Sequence, residues 1–232
     1  MSFLITGSAK KLGREIALNL SKDYPLILHY FRSQKEVFFL KEEIEKMGGK
    51  AEIIYGDFSS IEGTYDFLAR YHTKTKGIIY SASLYHFGSF LTTPQEKALS
   101  LWNGNFFACY LLIKALIPSL IAQKGSILTL GVAGLSSPFA DLRTSWYTLC
   151  KSNLWMMTKA LAKELAPHQV RCNMVSPGYL QESVDMPSDF DQIPMKRPAS
   201  YQEVVEAIRF LLDEKNRYIT GQNIEVAGGV RL

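Results

Sequence analysis

Short apolar runs that suit buried strands alternate along the whole chain with longer segments of helical period, and this alternation limits the fold more than any other feature. Phe3-Leu4-Ile5 is the first such run, followed by glycine-punctuated residues and then a helical pattern through Leu12, Ile16, Ala17 and Leu20. Pro25 to Tyr30 reads as a second strand. Ser33, with Glu36 three residues on, predicts a capped helix that Gly48-Gly49 stops. The alternation continues with a strand at Ala51 to Tyr55, a helix from about Ile61 to Tyr71, a strand at Gly77 to Tyr80, and a long helix around Asn105 to Leu120. A strand at Ser126 to Leu130, a helix from about Ser145 to Leu165, and a strand from Val170 to Ser176 follow. A helix from about Gln202 to Leu212 and a last strand near Ile224 complete the series.

Strands and helices in this order imply right-handed crossovers and a parallel sheet covered on both faces. The expected class is α/β, a Rossmann-type doubly wound parallel sheet. With 232 residues the chain can bury one substantial core but is short for two ordinary domains, so residues 1–232 read as one domain. No repeat, low-complexity tract or linker interrupts it. The least regular stretch, about 179–200, follows the carboxyl end of a strand and is the expected substrate loop.

Composition narrows the function classes. Charged residues make up 21% of the chain and the net charge is +4, with the basic residues scattered rather than clustered, so no nucleic-acid partner is expected. Cys109, Cys150 and Cys172 have neither disulfide-framework nor zinc-site spacing and read as buried, reduced thiols, with no metal site. No basic and apolar leader precedes the first strand, which sets a cytoplasmic location as the expectation. The apolar run from Phe106 to Ala122 carries Lys114 and Pro118 and falls short of the roughly 20 residues a membrane span needs. It reads as a helix buried on most sides, internally or against a partner subunit.

The chemistry begins at Thr6-Gly7-Ser8-Ala9-Lys10-Lys11-Leu12-Gly13, between the first strand and the first helix. A glycine-bearing turn there exposes backbone N–H groups at a helix amino terminus, where a pyrophosphate can settle; glycines serving only a tight turn are the plainer reading. The end of the second strand bears on which dinucleotide. An NAD site places an acidic residue about 20 residues past the glycines to accept the ribose 2′-hydroxyl. Here the run is His29-Tyr30-Phe31-Arg32-Ser33, with no carboxylate. Arg32 offers a planar fork for a 2′-phosphate, with Ser33 as a second donor and Lys10 and Lys11 nearby, which points to NADP(H); a solvated arginine beside a helix cap is the alternative.

With these motifs in hand, the chain resembles the short-chain dehydrogenase/reductases over nearly its whole length, and among them most resembles the pteridine reductases. Lys11 stands between Gly7 and Gly13 where most relatives have the middle glycine, and His29-Tyr30-Phe31-Arg32-Ser33 is similar to a run in that group. The resemblance extends to Val184-Asp185-Met186-Pro187 in the loop, and to Tyr218-Ile219-Thr220-Gly221-Gln222 and Gly228-Gly229 near the end. It implies that Asp57 contacts the adenine, that Ser81, Ala82 and Ser83 border the cofactor, and that Pro177-Gly178 lies at the nicotinamide.

Tyr147 and Lys151, spaced i, i+4, share one helical face, so the ammonium is expected to draw the phenol from about 10 toward neutrality and make Tyr147 the general acid. Tyr110 and Lys114 show the same spacing, and position in the family pattern selects the first pair. Asn105 then falls where the family holds a water in its proton relay; a helix-interior polar residue is the plain alternative. Tyr85 falls where an aromatic sandwiches the substrate, as against a loop aromatic covering the core.

Two departures stand out. Tyr80-Ser81-Ala82-Ser83 replaces the usual Asn-Asn-Ala-Gly, and Val132 falls where most relatives have a catalytic serine and pteridine reductases an aspartate. Valine can neither donate nor accept a hydrogen bond. Ser136 or Ser137, in a loop about two residues longer than usual, could swing in. The expected activity is NADPH-dependent reduction of a small C=O or C=N substrate, a pterin among the candidates. The alternatives are a 3-oxoacyl thioester or other carbonyl reductase, and an NADP(H)-binding sensor or scaffold whose chemistry has decayed. A homotetramer built on the two long helices is the implied assembly.

Overall fold

A computed structural model of the chain describes residues 1–137 and 139–231. Seven strands form one parallel sheet in the order β3-β2-β1-β4-β5-β6-β7. They are β1 (Ser2–Thr6), β2 (Leu26–Tyr30), β3 (Ala51–Tyr55), β4 (Thr75–Tyr80), β5 (Ser126–Leu130), β6 (Arg171–Pro177) and β7 (Asn223–Val226). Side chains alternate across the pleat: Phe3 and Ile5 of β1 enter one apolar cluster, while Leu4 enters the other with Ile78 and Tyr80. Helices α1 (Lys11–Leu20), α2 (Gln34–Lys46) and α7 (Tyr201–Leu212) cover the first face; α3 (Ile61–Arg70), α5 (Ala108–Gln123) and α6 (Ser145–Leu165) cover the second. The doubly wound α/β reading therefore holds, and it sets a switch point between β1 and β4, where strand order reverses.

The long helix departs most from expectation. It begins at Gln95, ten residues before Asn105, and runs unbroken to Gln123 through α4 (Gln95–Trp102), a π-helical turn (Asn103–Phe107) and α5. Its polar first turn of Gln95, Glu96 and Lys97 hides the start from a search for apolar period. At 29 residues it is long and apolar enough to cross a membrane, contrary to the reading of Phe106 to Ala122 as too short. Its inner residues, Cys109, Leu112, Ile113, Leu116 and Leu120, are nevertheless buried in the cluster that also takes in Ile78 and Ile127.

A second correction concerns Ser33. It occupies the N-cap position of α2, but its side chain caps nothing, and Glu36 turns away to pair with Lys10 at 2.8 Å. The reciprocal capping box forms instead at Ser200 and Glu203, where α7 begins. Cys109, Cys150 and Cys172 are buried and unbridged.

Candidate active site

A cavity of about 460 Å³ opens at the carboxyl ends of β1 and β4. Thr6 builds its floor: its hydroxyl oxygen accepts the N–H groups of Ser81 and Ala82 at 3.0 and 2.9 Å, tying the two strand tips together. Gly7 then turns with φ +64°, and a β-carbon there would lie 2.8 Å from the Ala82 α-carbon. At Gly13 a β-carbon would overlap the carbonyl oxygen of Gly7, so helix and turn meet only because both residues lack side chains. Between them Lys11 adopts φ +51°, a left-handed conformation that a glycine would adopt at lower cost.

Thirteen of the residues singled out from sequence line this cavity: Gly7, Lys10, Lys11, Leu12, Gly13, Ser81, Ala82, Ser83, Tyr85, Tyr147, Lys151, Pro177 and Gly178. Six do not. His29 is buried beneath the turn, with Nδ1 accepting the Gly7 N–H at 3.0 Å and Nε2 lying 3.1 Å from the Gly56 carbonyl. Only a neutral ring protonated at Nε2 satisfies both partners, and burial holds its pKa down at about 4. The expectation of a direct cofactor contact at His29 is thus corrected: the ring braces the turn from behind, stacked on Phe58 at 4.1 Å.

Tyr30, Arg32, Ser33 and Asp57 lie outside the cavity, at and just beyond the tips of β2 and β3. Tyr30 packs on Tyr55, Arg32 lies over the Phe31 ring at 4.9 Å, and the Asp57 carboxylate accepts from the Ser59 N–H and hydroxyl at 2.8 and 2.6 Å. Lys10 and Lys11 are both engaged, the first with Glu36 and the second with the Glu182 carbonyl at 2.9 Å. A carboxylate that sequence reasoning assigned to a helix cap therefore stands among the cations expected to meet a 2′-phosphate.

On the other wall, Tyr147 occupies the first turn of α6 and Lys151 the next. Lys151 is 2% exposed, donates to the Leu130 carbonyl at 2.9 Å, and stands 5.4 Å from the centre of the Tyr147 ring. Burial lowers the Lys151 ammonium to about 8. Burial also pushes the Tyr147 phenol up to about 12; Asp185 adds to the rise, while Ser83 and Arg231 oppose it. The expected fall toward neutrality is absent because withdrawing the phenol from water outweighs any stabilisation of the phenolate.

Asn105, the sixth residue outside the cavity, sits in the π-helical turn. Its Oδ1 accepts from the Leu84 N–H at 2.7 Å and the Ser83 hydroxyl at 3.1 Å, and its Nδ2 donates to the Leu84 carbonyl at 2.8 Å. The side chain pins the loop that carries Ser83, which places that hydroxyl on the cavity wall. Tyr85 donates to Asp185 at 3.1 Å, and its ring centre lies 4.8 Å from that of Tyr147. Gly178 serves packing as well as the cavity, since a β-carbon there would lie 2.9 Å from the Ala227 α-carbon.

A second cavity of about 920 Å³ adjoins the first and shares Tyr85, Thr144, Tyr179, Asp185 and Arg231 with it. Sequence reasoning missed Thr144 and Arg231, which carry no motif and meet Tyr179 of the expected substrate loop only through the fold.

A family profile described as enoyl-(acyl carrier protein) reductase matches residues 7–231. The uncharacterized oxidoreductase YmfI of Bacillus subtilis is 31% identical over 240 residues, covering 97% of each protein. The chain belongs to the short-chain dehydrogenase/reductase family. This short-chain dehydrogenase/reductase is also 26% identical to the 3-oxoacyl-[acyl-carrier-protein] reductase FabG of Aggregatibacter actinomycetemcomitans, over 99% of this chain and 98% of that one. Its fold matches a blue fluorescent protein from a metagenomic library, solved in complex with NADPH, with a TM-score of 0.90 at 20% identity, covering 100% of this chain and 98% of that one. The family consists of oxidoreductases that act on small molecules with a nicotinamide cofactor.

The resemblance implies a polar side chain at position 132. Val132 lines the cavity, and its side chain offers no polar atom. Neither serine proposed to replace it does so: Ser136 donates to Glu225 at 2.8 Å, and Ser136 and Ser137 line the second cavity rather than the first.

Proposed function

We propose that this protein is an NADPH-dependent reductase of a small carbonyl compound, with Tyr147 as the proton donor. The observation that carries the reading is the placement of a neutral, half-buried Tyr147 phenol on the cavity wall beside the buried Lys151 ammonium, across from the glycine turn. The turn fits a dinucleotide, because Gly7 and Gly13 leave open the space that β-carbons would fill and α1 presents its first backbone N–H groups beside it. Arg32 and Lys10 are the residues we assign to a 2′-phosphate, with Tyr30, Ser33 and Asp57 bordering the adenosine end. Ser81, Ala82 and Ser83 form one wall, Pro177-Gly178 the nicotinamide end, and Tyr85 with Tyr147 the substrate face.

The cofactor, when bound, supplies the hydride. The chain supplies the proton: a phenol that stays protonated at neutral pH can donate to the oxygen of a reduced carbonyl, and the nearby ammonium stabilises the phenolate left behind. Asn105 acts through the loop it pins and is a positioning residue. Among substrates, 3-oxoacyl thioesters come first, on the likeness to FabG; the Tyr85 ring against Tyr147 supports a flat heterocycle such as a pterin as the second class. Leu99, Tyr110 and Met156, exposed on α4, α5 and α6, are the surface we assign to a homotetramer.

The test is NADPH oxidation with an acetoacetyl thioester, dihydrobiopterin and dihydrofolate, repeated with Tyr147→Phe. The variant should keep its NADPH affinity and lose at least about 10²-fold in turnover. NADPH binding without turnover of any substrate by the unaltered protein would instead support a sensor or scaffold, the reading that Val132 favours.

A further inference from the structure

The segment after β7 turns back onto the cavity that Tyr147 lines. After β7, Gly228 and Gly229 adopt φ +59° and +85°, and the Val230 N–H closes the turn on the Ala227 carbonyl at 3.1 Å. Arg231 is thereby laid across Gly134, where a β-carbon would stand 2.9 Å from its own. Its guanidinium sits over the Phe139 ring at 4.6 Å and donates to Asp141 at 2.7 Å. Arg231 lines the same cavity as Val132 and Tyr147, and its charge opposes the rise in the Tyr147 pKa. Asp141 takes one Nη2–H of a five-donor group and uses its other oxygen to accept the N–H groups of Arg143 and Thr144 at the start of α6. The same ion pair thus holds the tail to the loop that carries Val132.

We propose that Arg231 is a catalytic residue that stabilises the developing alkoxide of the substrate, supplying from the turn after β7 the polar contact that the side chain at position 132 lacks. This rests on the reductase reading. In that reaction the carbonyl carbon takes hydride from reduced nicotinamide, which leaves oxidised; the π pair moves to oxygen, and the Tyr147 proton closes the new O–H bond. A guanidinium beside that oxygen offers fixed positive charge where negative charge appears, the kind of contact whose removal costs about 10² to 10³ in turnover.

The experiment compares three variants with the unaltered protein in carbonyl turnover, NADPH affinity by calorimetry, and melting temperature. Arg231→Gln should lose about 10²-fold in kcat with NADPH affinity within about twofold of the unaltered protein. Adding Val132→Ser to Arg231→Gln should restore at least tenfold. Asp141→Asn keeps the Oδ1 acceptor for α6 but drops the ion pair, so it should stay within about threefold if the cation matters and fall as far as Arg231→Gln if tail anchoring is all that matters. Arg231→Gln within threefold of the unaltered protein, or Asp141→Asn matching its loss, overturns the proposal while leaving the reductase intact. Silence of the unaltered protein toward every carbonyl overturns the reductase reading itself.

Discussion

Acidification should loosen the glycine turn through a single buried ring. His29 is neutral in the fold, held at about 4 by burial, against 6.5 for an ordinary histidine. A base whose folded pKa is depressed binds its proton more readily when unfolded, so stability is fully present above pH 6.5 and is lost as pH falls toward 4. The gap of about 2.5 units corresponds to about 3 kcal/mol at 1.36 kcal/mol per unit, and about 2.5 kcal/mol of it is gone by pH 4.5. With the ring 2% exposed, water does little to discount that figure. The local cause is visible: a protonated Nδ1 can no longer accept the Gly7 N–H. Urea unfolding of the native protein and of His29→Gln at pH 7.5, 6, 5 and 4.5 isolates the effect, because carboxylates that also titrate cancel in the difference. The stability advantage of the native protein over His29→Gln should shrink by about 2 to 3 kcal/mol across that range. NADPH affinity should hold through that window and weaken only near pH 4, where the folded ring takes up its proton. A difference constant to within about 1 kcal/mol would refute the reasoning.

Three further outcomes follow from the site. Lys11→Gly relieves a left-handed lysine, worth about 1–2 kcal/mol, at an entropic cost of about 0.5–1 kcal/mol, so the melting temperature should hold or rise. The same variant loses the tie to the Glu182 carbonyl, and limited proteolysis should cut the 179–200 loop faster. Glu36→Gln frees Lys10 and should raise the ratio of NADPH to NADH affinity, while Arg32→Ala should lower it; equal ratios in both variants by calorimetry would remove these residues from the 2′-phosphate site. Turnover should fall as pH rises through about 8, where Lys151 sheds its charge, and a basic limb that Lys151→Arg leaves in place would assign it to another group.

Much of the architecture could be read from the chain because it follows from local pattern. Apolar runs of strand length between helical periods dictate a parallel sheet, and local geometry sets the Gly7–Gly13 turn and puts Tyr147 and Lys151 on one helical face, while the sheet brings the two to one cavity. The errors fall where a side chain has a choice of partners. Glu36 could cap α2 or pair with Lys10, and only the packing of α1 beside α2 selects the second. His29 could face a ligand or the interior, and the close approach of Gly56 and Phe58 turns it inward.

The amino-acid sequence by itself determined the element order, the dinucleotide turn and the candidate acid with its lysine, since each depends on residues close together in the chain. Tertiary structure alone decided the upward shift of the Tyr147 phenol, through loss of solvent, and the arrival of Arg231 on the cavity that Val132 also lines, which no local pattern encodes because the two lie 99 positions apart in sequence.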